Sequence, residues 1–230
     1  FKVDTTAPTL LQVTAVTTPT KDTTPSYVFA SPEVGIISYG GSCDSDNTSA
    51  TAGLNTITFN TLSEGSYSNC TITVTDSAGN ANSAFSVNTF VVDTTAPTVN
   101  SVAITSASGI QNSLLNAGDN VSVTATFSEA VIVASGNPTL TLVVGSNNRT
   151  ATYASGSGST DLVFRYTIQS GDTDSDGISI GANALALNSS TIKDVAGNDG
   201  TLTHSAVDNN SSYMVDATEF LVNTFEMDDT

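Results

Sequence analysis

Apolar and polar residues alternate in short runs over most of this chain. In the first 92 residues the runs fall at 11–16, 27–30, 35–39, 55–60, 67–75 and 84–92, and they are rich in Val, Ile, Thr, Tyr and Phe. The pattern resumes at 99–105, 121–127, 139–144, 149–154 and 162–168, with shorter candidates near Ile178 and Leu187. A period of two puts one face of each run in a core and the other in water, and β-branched and aromatic side chains suit that half-buried surface. Clusters of Gly, Asn, Asp, Ser and Pro separate the runs, as turns require. No long stretch keeps a helical period. Short strands at this spacing predict all-β sandwich units.

An internal repeat organises the runs. Val3-Asp4-Thr5-Thr6-Ala7-Pro8-Thr9 returns unchanged as Val92-Asp93-Thr94-Thr95-Ala96-Pro97-Thr98, and a degenerate copy opens at Val215-Asp216-Ala217-Thr218. A second marker, Asp-x-Ala-Gly-Asn, spans Asp76 to Asn80 and again Asp194 to Asn198. The markers alternate and so define two units, the first 89 residues long from Asp4 to Asp93 and the second 123 from Asp93 to Asp216. Pro97 fixes φ between the last strand of one unit and the first strand of the next, which predicts a stiffer joint than a Gly/Ser linker.

These markers resemble bacterial immunoglobulin-like repeats, which occur in very large secreted adhesins. The stretch Tyr39-Gly-Gly-Ser-Cys43 with Tyr67-Ser-Asn-Cys70-Thr-Ile-Thr-Val-Thr-Asp76 is similar to one subtype. Phe127-Ser-Glu129-Ala-Val131 with Gly171-Asp-Thr-Asp-Ser-Asp-Gly-Ile178 is similar to a longer one. The resemblance reaches about residue 218. It implies tandem immunoglobulin-like β-sandwich domains in a beads-on-a-string array: 1–92, a longer domain over 93–216, and a linker or the start of a further repeat over 217–230.

Composition narrows the function. Acidic residues outnumber basic ones by 22 to 5, giving a formal net charge of −17, yet 38% of the chain is hydrophobic, enough to build cores beneath an acidic surface. Five cations cannot supply a nucleic-acid footprint, and no apolar run approaches the ~20 residues of a membrane-spanning helix. The chain starts without Met or a signal peptide and reads as a mature or excised piece. Catalysis lacks ingredients. His204 is the single histidine, no nucleophile-elbow motif is present, and Gly156-Ser-Gly-Ser-Thr160 is a hairpin loop without the Lys of a phosphate loop. Absent Trp removes the usual sugar platform.

The acids concentrate beside Gly, Asn, Ser and Thr, which is turn chemistry and also the chemistry of oxygen-rich cation sites. In an immunoglobulin-like topology Asp4 opens the first unit, Glu33 follows the strand ending near Ala30 in the B–C loop, and Asp76 with Asn80 flanks the F–G turn, all at one pole. Asp93, Glu129, Asp194 and Asn198 occupy the same places in the second unit, with Glu129 expected in a loop after the strand ending at Phe127. Calcium would relieve the repulsion in such a cluster, and the family resemblance implies calcium at these inter-domain ends. Asp216 opens a third copy. A second candidate calcium loop is Asp172-Thr-Asp174-Ser-Asp176-Gly177, the first half of an EF-hand pattern, although its twelfth position is Asn183.

Cys43 and Cys70, 27 residues apart, close the ends of two strands expected to be neighbours in one sheet, so a disulfide and an oxidising, extracellular or cell-surface setting are expected. The resulting expectation is a non-enzymatic stalk segment of a bacterial adhesin, stiffened by Ca²⁺, whose partners are neighbouring repeats of its own chain. One alternative is a subunit of an extracellular filament or surface layer, with the strand-like tails 1–3 and 220–225 completing a neighbouring sheet. Another is a weak glycan-binding module in 93–216.

Overall fold

A computed structural model of the chain describes residues 3–218; the tail 220–225 and residues 1 and 2, offered above as sheet-completing strands, lie outside them. The described residues are all-β, with one short 3₁₀ turn at Ser211–Tyr213. The contacts divide the chain into two compact units. One ends at Thr95 and takes in Val195–Asn198; the other comprises Ala96–Asp194 and resumes at Asp199.

The first unit contains β1 (Leu11–Thr14), β2 (Ser26–Ser31), β3 (Gly35–Gly40), β4 (Ser49–Ala50), β5 (Gly53–Thr58), β6 (Gly65–Tyr67), β7 (Thr71–Thr75), β8 (Phe85–Ser86) and β9 (Phe90–Val92). They form a sheet ordered β1-β2-β5, a sheet ordered β4-β3-β7-β8, and the pair β6-β9. Alternation in β2 sends Tyr27 and Phe29 inward. There they join Ile57 of β5, Ile37 of β3, Ile72 and Val74 of β7 and Phe90 of β9 in one cluster. Inward faces of separate sheets therefore share one core, as in a β-sandwich.

The disulfide between Cys43 and Cys70 lies just past the paired ends of β3 and β7, where Gly40 faces Thr71. Its Cα atoms are 5.2 Å apart, within the span a disulfide needs. Gly41 makes this approach possible: its φ is +77°, and a Cβ there would sit 2.0 Å from the Asn69 carbonyl oxygen.

The second unit contains β10 (Val99–Ser108), β11 (Leu114–Leu115), β12 (Asn120–Ala134), β13 (Thr139–Val144), β14 (Asn147–Ser155), β15 (Ser159–Thr167), β16 (Thr173–Asp174), β17 (Leu185–Ala186), β18 (Thr191–Lys193) and β19 (Met214–Asp216). The main sheet runs β10-β12-β15-β14-β13-β17, with β18 against the far end of β12, and a small sheet runs β11-β19-β16. Val121, Val123, Ala125 and Phe127 alternate inward along β12 and meet Leu162, Phe164, Leu140 and Leu142 in the core.

Each unit ends the same way. In the first, Thr20 donates its N–H to the Val91 carbonyl (3.0 Å) and accepts from the Asp93 N–H (2.9 Å), in parallel pairing with Val92. The Asn88 side chain adds two bonds to the backbone of Val16, at 2.9 and 3.0 Å. In the second, β19 runs parallel to β11, Leu114 facing Met214 and Leu115 facing Val215. A terminal strand parallel to an early segment slides against it in shear when the chain is pulled from both ends, which loads all these bonds together.

Candidate functional site

Turn chemistry builds the acidic poles. Asp76 starts a tight turn at the end of β7, and its Oδ1 accepts the N–H groups of Ala78 and Asn80, each at 2.8 Å. Its Oδ2 accepts the Asn80 side-chain amide at 2.8 Å. That amide also reaches the Asp4 carbonyl at 3.3 Å, which ties the opening segment to the turn. Glu33 sits in the tight connection from β2 to β3, where the buried Ser31 hydroxyl donates to its carbonyl at 2.7 Å. Asp4, Glu33 and Asp76 thereby each place a carboxylate oxygen within 4.8 Å of the others.

In the second unit Glu129 and Asp194 each place a carboxylate oxygen within 4.8 Å of the other. Asn198 donates its amide to the Asp93 carbonyl at 2.9 Å, as Asn80 does to Asp4. Glu129 departs from the sequence reading. It lies not in a loop but inside the continuous strand β12, where the register with β15 breaks between Thr126 and Val131. The far end of β12 is held by β18, so the strand continues past the register break without a loop.

The opening acids share one local device. Thr6 N–H donates to Asp4 Oδ1 (3.0 Å), Thr95 N–H to Asp93 Oδ1 (3.1 Å) and Thr218 N–H to Asp216 Oδ1 (3.3 Å). These Asx turns fix the Asp side chain against its own backbone. Thr94 and Thr95 also donate their hydroxyls to Glu64, at 2.9 and 2.7 Å, a use of the repeated Thr pair with no sequence signal. Asp216 has its turn but belongs to no such three-acid cluster among the described residues.

Electrostatics distinguish Asp76. The Asn80 amide outweighs the opposing desolvation and, with the N–H groups of the turn, holds its carboxyl below the usual carboxylate range. None of Asp4, Glu33 and Asp76 is in an ion pair among the described residues. Each retains oxygen lone pairs beyond those used in these bonds, so the first set fits a hard, oxygen-liganded cation.

Asp172, Asp174 and Asp176 form no three-acid cluster of this kind among the described residues. Asp172 is fully buried and takes Arg149 Nε at 2.7 Å and Nη2 at 2.5 Å on Oδ1. On Oδ2 it takes the Tyr166 hydroxyl at 2.5 Å and the Gln169 N–H at 3.0 Å. Burial opposes ionisation, but the bonds from Tyr166, Gln169 and Arg149 win and lower the Asp172 pKa. Burial and the Asp172 carboxylate push the Tyr166 phenol up to about 12. Asp174 is also buried and caps the N–H groups of Gly145 (2.7 Å) and Gly177 (2.8 Å), while Asp176 accepts from the Asn209 amide. Asp172 and Asp174 face inward as structural acceptors, while Asp176 is exposed. The loop also holds the final strand, since the Asp172 carbonyl accepts the Ala217 N–H at 2.9 Å.

His204 is positioned by backbone, with Nε2 accepting the Ala184 N–H at 2.8 Å. Against this geometry, family models, curated proteins and solved structures offer no match.

Proposed function

We propose that the chain is a non-enzymatic, load-bearing spacer of an extracellular bacterial adhesin, built from tandem immunoglobulin-like domains and stiffened by Ca²⁺ at the acidic pole that opens each repeat. The observation that carries this reading is recurrence: Asp4, Glu33 and the turn acid Asp76 meet in the first repeat, Glu129 and the turn acid Asp194 meet in the second, and an Asn amide holds the opening carbonyl each time. Asp4, Glu33 and Asp76 would hold one cation, and Glu129 with Asp194 the other. The cation would neutralise mutual repulsion and pin the opening segment to its repeat, adding to the Asx turn and the Asn bond. The parallel final strands favour a part that works under tension, and the disulfide favours an oxidising exterior.

Small-angle scattering with calcium and with chelator tests the reading. The expected result is a larger maximum dimension and a higher melting temperature with calcium. Identical values in both conditions would rule out cation stiffening.

A further inference from the structure

In a chain of net charge −17, cations without an acid beside them are conspicuous. Of the four cationic side chains among the described residues, three are engaged: Arg149 with Asp172, Lys193 with Asp199, and Lys21 with the Gly197 carbonyl. The Arg165 side chain has no hydrogen-bond or ion-pair partner among the described residues. It points to the outer face of β15, since Phe164 and Tyr166 on either side of it are buried.

The register fixes its surroundings. Ser122 of β12 and Thr152 of β14 lie directly across from Arg165 on either side. Ser106 of β10 lies beyond Ser122, and Thr139 of β13 beyond Thr152. Cross-strand neighbours are about 5 Å apart, so five strands present one transverse row of hydroxyls with a guanidinium at its centre. Ser106, Ala107, Ser108, Asn120, Ser122 and Arg165 line a shallow groove of about 400 Å³ beside it. Asn120 Oδ1 accepts the Thr167 hydroxyl at 2.8 Å, which leaves its amide N–H groups as donors. Two carboxylates lie close to this patch in sequence, and each accepts a hydrogen bond from elsewhere. Asp161 accepts the Thr126 hydroxyl (2.7 Å) and Asp119 the Asn116 N–H (2.8 Å).

We infer that this face binds an acidic saccharide, the guanidinium taking the sugar carboxylate as a planar bidentate pair and the flanking hydroxyls and Asn120 taking ring hydroxyls. Arginine suits that geometry and lysine does not. A polyhydroxylated ligand matches a hydroxyl row better than a peptide or a lipid tail, for which the groove offers little apolar surface. With no aromatic platform, one site binds in about the millimolar range, and repeated copies would act through multivalency. This inference does not depend on the spacer reading or on calcium.

The test is an NMR titration of the whole chain with glucuronate and N-acetylneuraminate, with glucose, acetate and a short glutamate peptide as comparisons. Expected are saturable shifts at Arg165, Ser122 and Asn120, with each comparison ligand at least ten-fold weaker. Arg165→Ala should abolish them and Arg165→Lys weaken binding about ten-fold, neither changing the melting temperature because the side chain is exposed. Equal binding of acetate, tighter binding of the peptide, unchanged binding in Arg165→Ala or no shifts at all would each overturn the assignment.

Discussion

Both units bring acids together at a turn, but they hold their bodies together differently. The shorter one closes a covalent staple between Cys43 and Cys70 over a core of 16 buried residues among those described. The longer one has no cysteine, buries 21 such residues, and sets Asp172 inside against Arg149 and Tyr166. In the first unit the cross-link adds stability by restricting the unfolded chain. The larger core can accommodate a buried charge because every Asp172 oxygen has donors. That charge works as a tie: its side chain holds β14 and β15, and its backbone holds the segment after β19. One unit locks neighbouring strands in one sheet; the other locks its final strand.

Reduction should separate the units most clearly. Opening the disulfide, or replacing both cysteines with Ala, should cost the first unit about 3–4 kcal/mol on the chain-entropy model for a 27-residue separation. In calorimetry one transition should fall and the other stay. If both fall together, the units do not unfold independently.

Asp172→Ala should do the reverse, at about 3 kcal/mol, the low end for a broken buried pair because Arg149 is partly open to solvent. Only the second unit's transition should move. An unchanged transition would mean that Asp172 is not a tie.

Acid should act on both, more gently. Asp76 and Asp172 each have a folded pKa below the ordinary carboxylate value. The stability they contribute is full above that ordinary value, about pH 4, and is lost as pH falls through the folded values. Asn80→Ala should narrow the loss in the first unit alone, as followed by melting temperature between pH 5 and 2.

The strand pattern was legible because period-two alternation was clean: the run at 139–144 coincides with β13, and 27–30 and 35–39 fall within β2 and β3. Two-residue strands such as β11, β16 and β17 are too short to carry a period. The run at 67–75 divides at Ser68–Cys70, where the chain turns toward the disulfide. The meeting of Asp4, Glu33 and Asp76 could be reasoned from chain order because each stands beside a strand end. Glu129 could not, since a bulge inside a strand and a loop after one look alike in sequence. Asp172 and Asp174 misled for a related reason. Alternate carboxylates read as a chelating loop, while their real partners, Arg149, Tyr166 and Gly145, come from other strands.

The central claim is that the acids gathered in each unit, Asp4, Glu33 and Asp76 in the first and Glu129 and Asp194 in the second, hold a cation and that the Asp172 loop does not. Calorimetric titration of Ca²⁺ into the chelated protein tests it most directly. Two ions per chain are expected, falling to one in Asp76→Asn or Asp194→Asn and to none in the double variant, with Asp176→Asn unchanged. No heat of binding, or a stoichiometry that Asp176→Asn lowers and the pole variants do not, would contradict it.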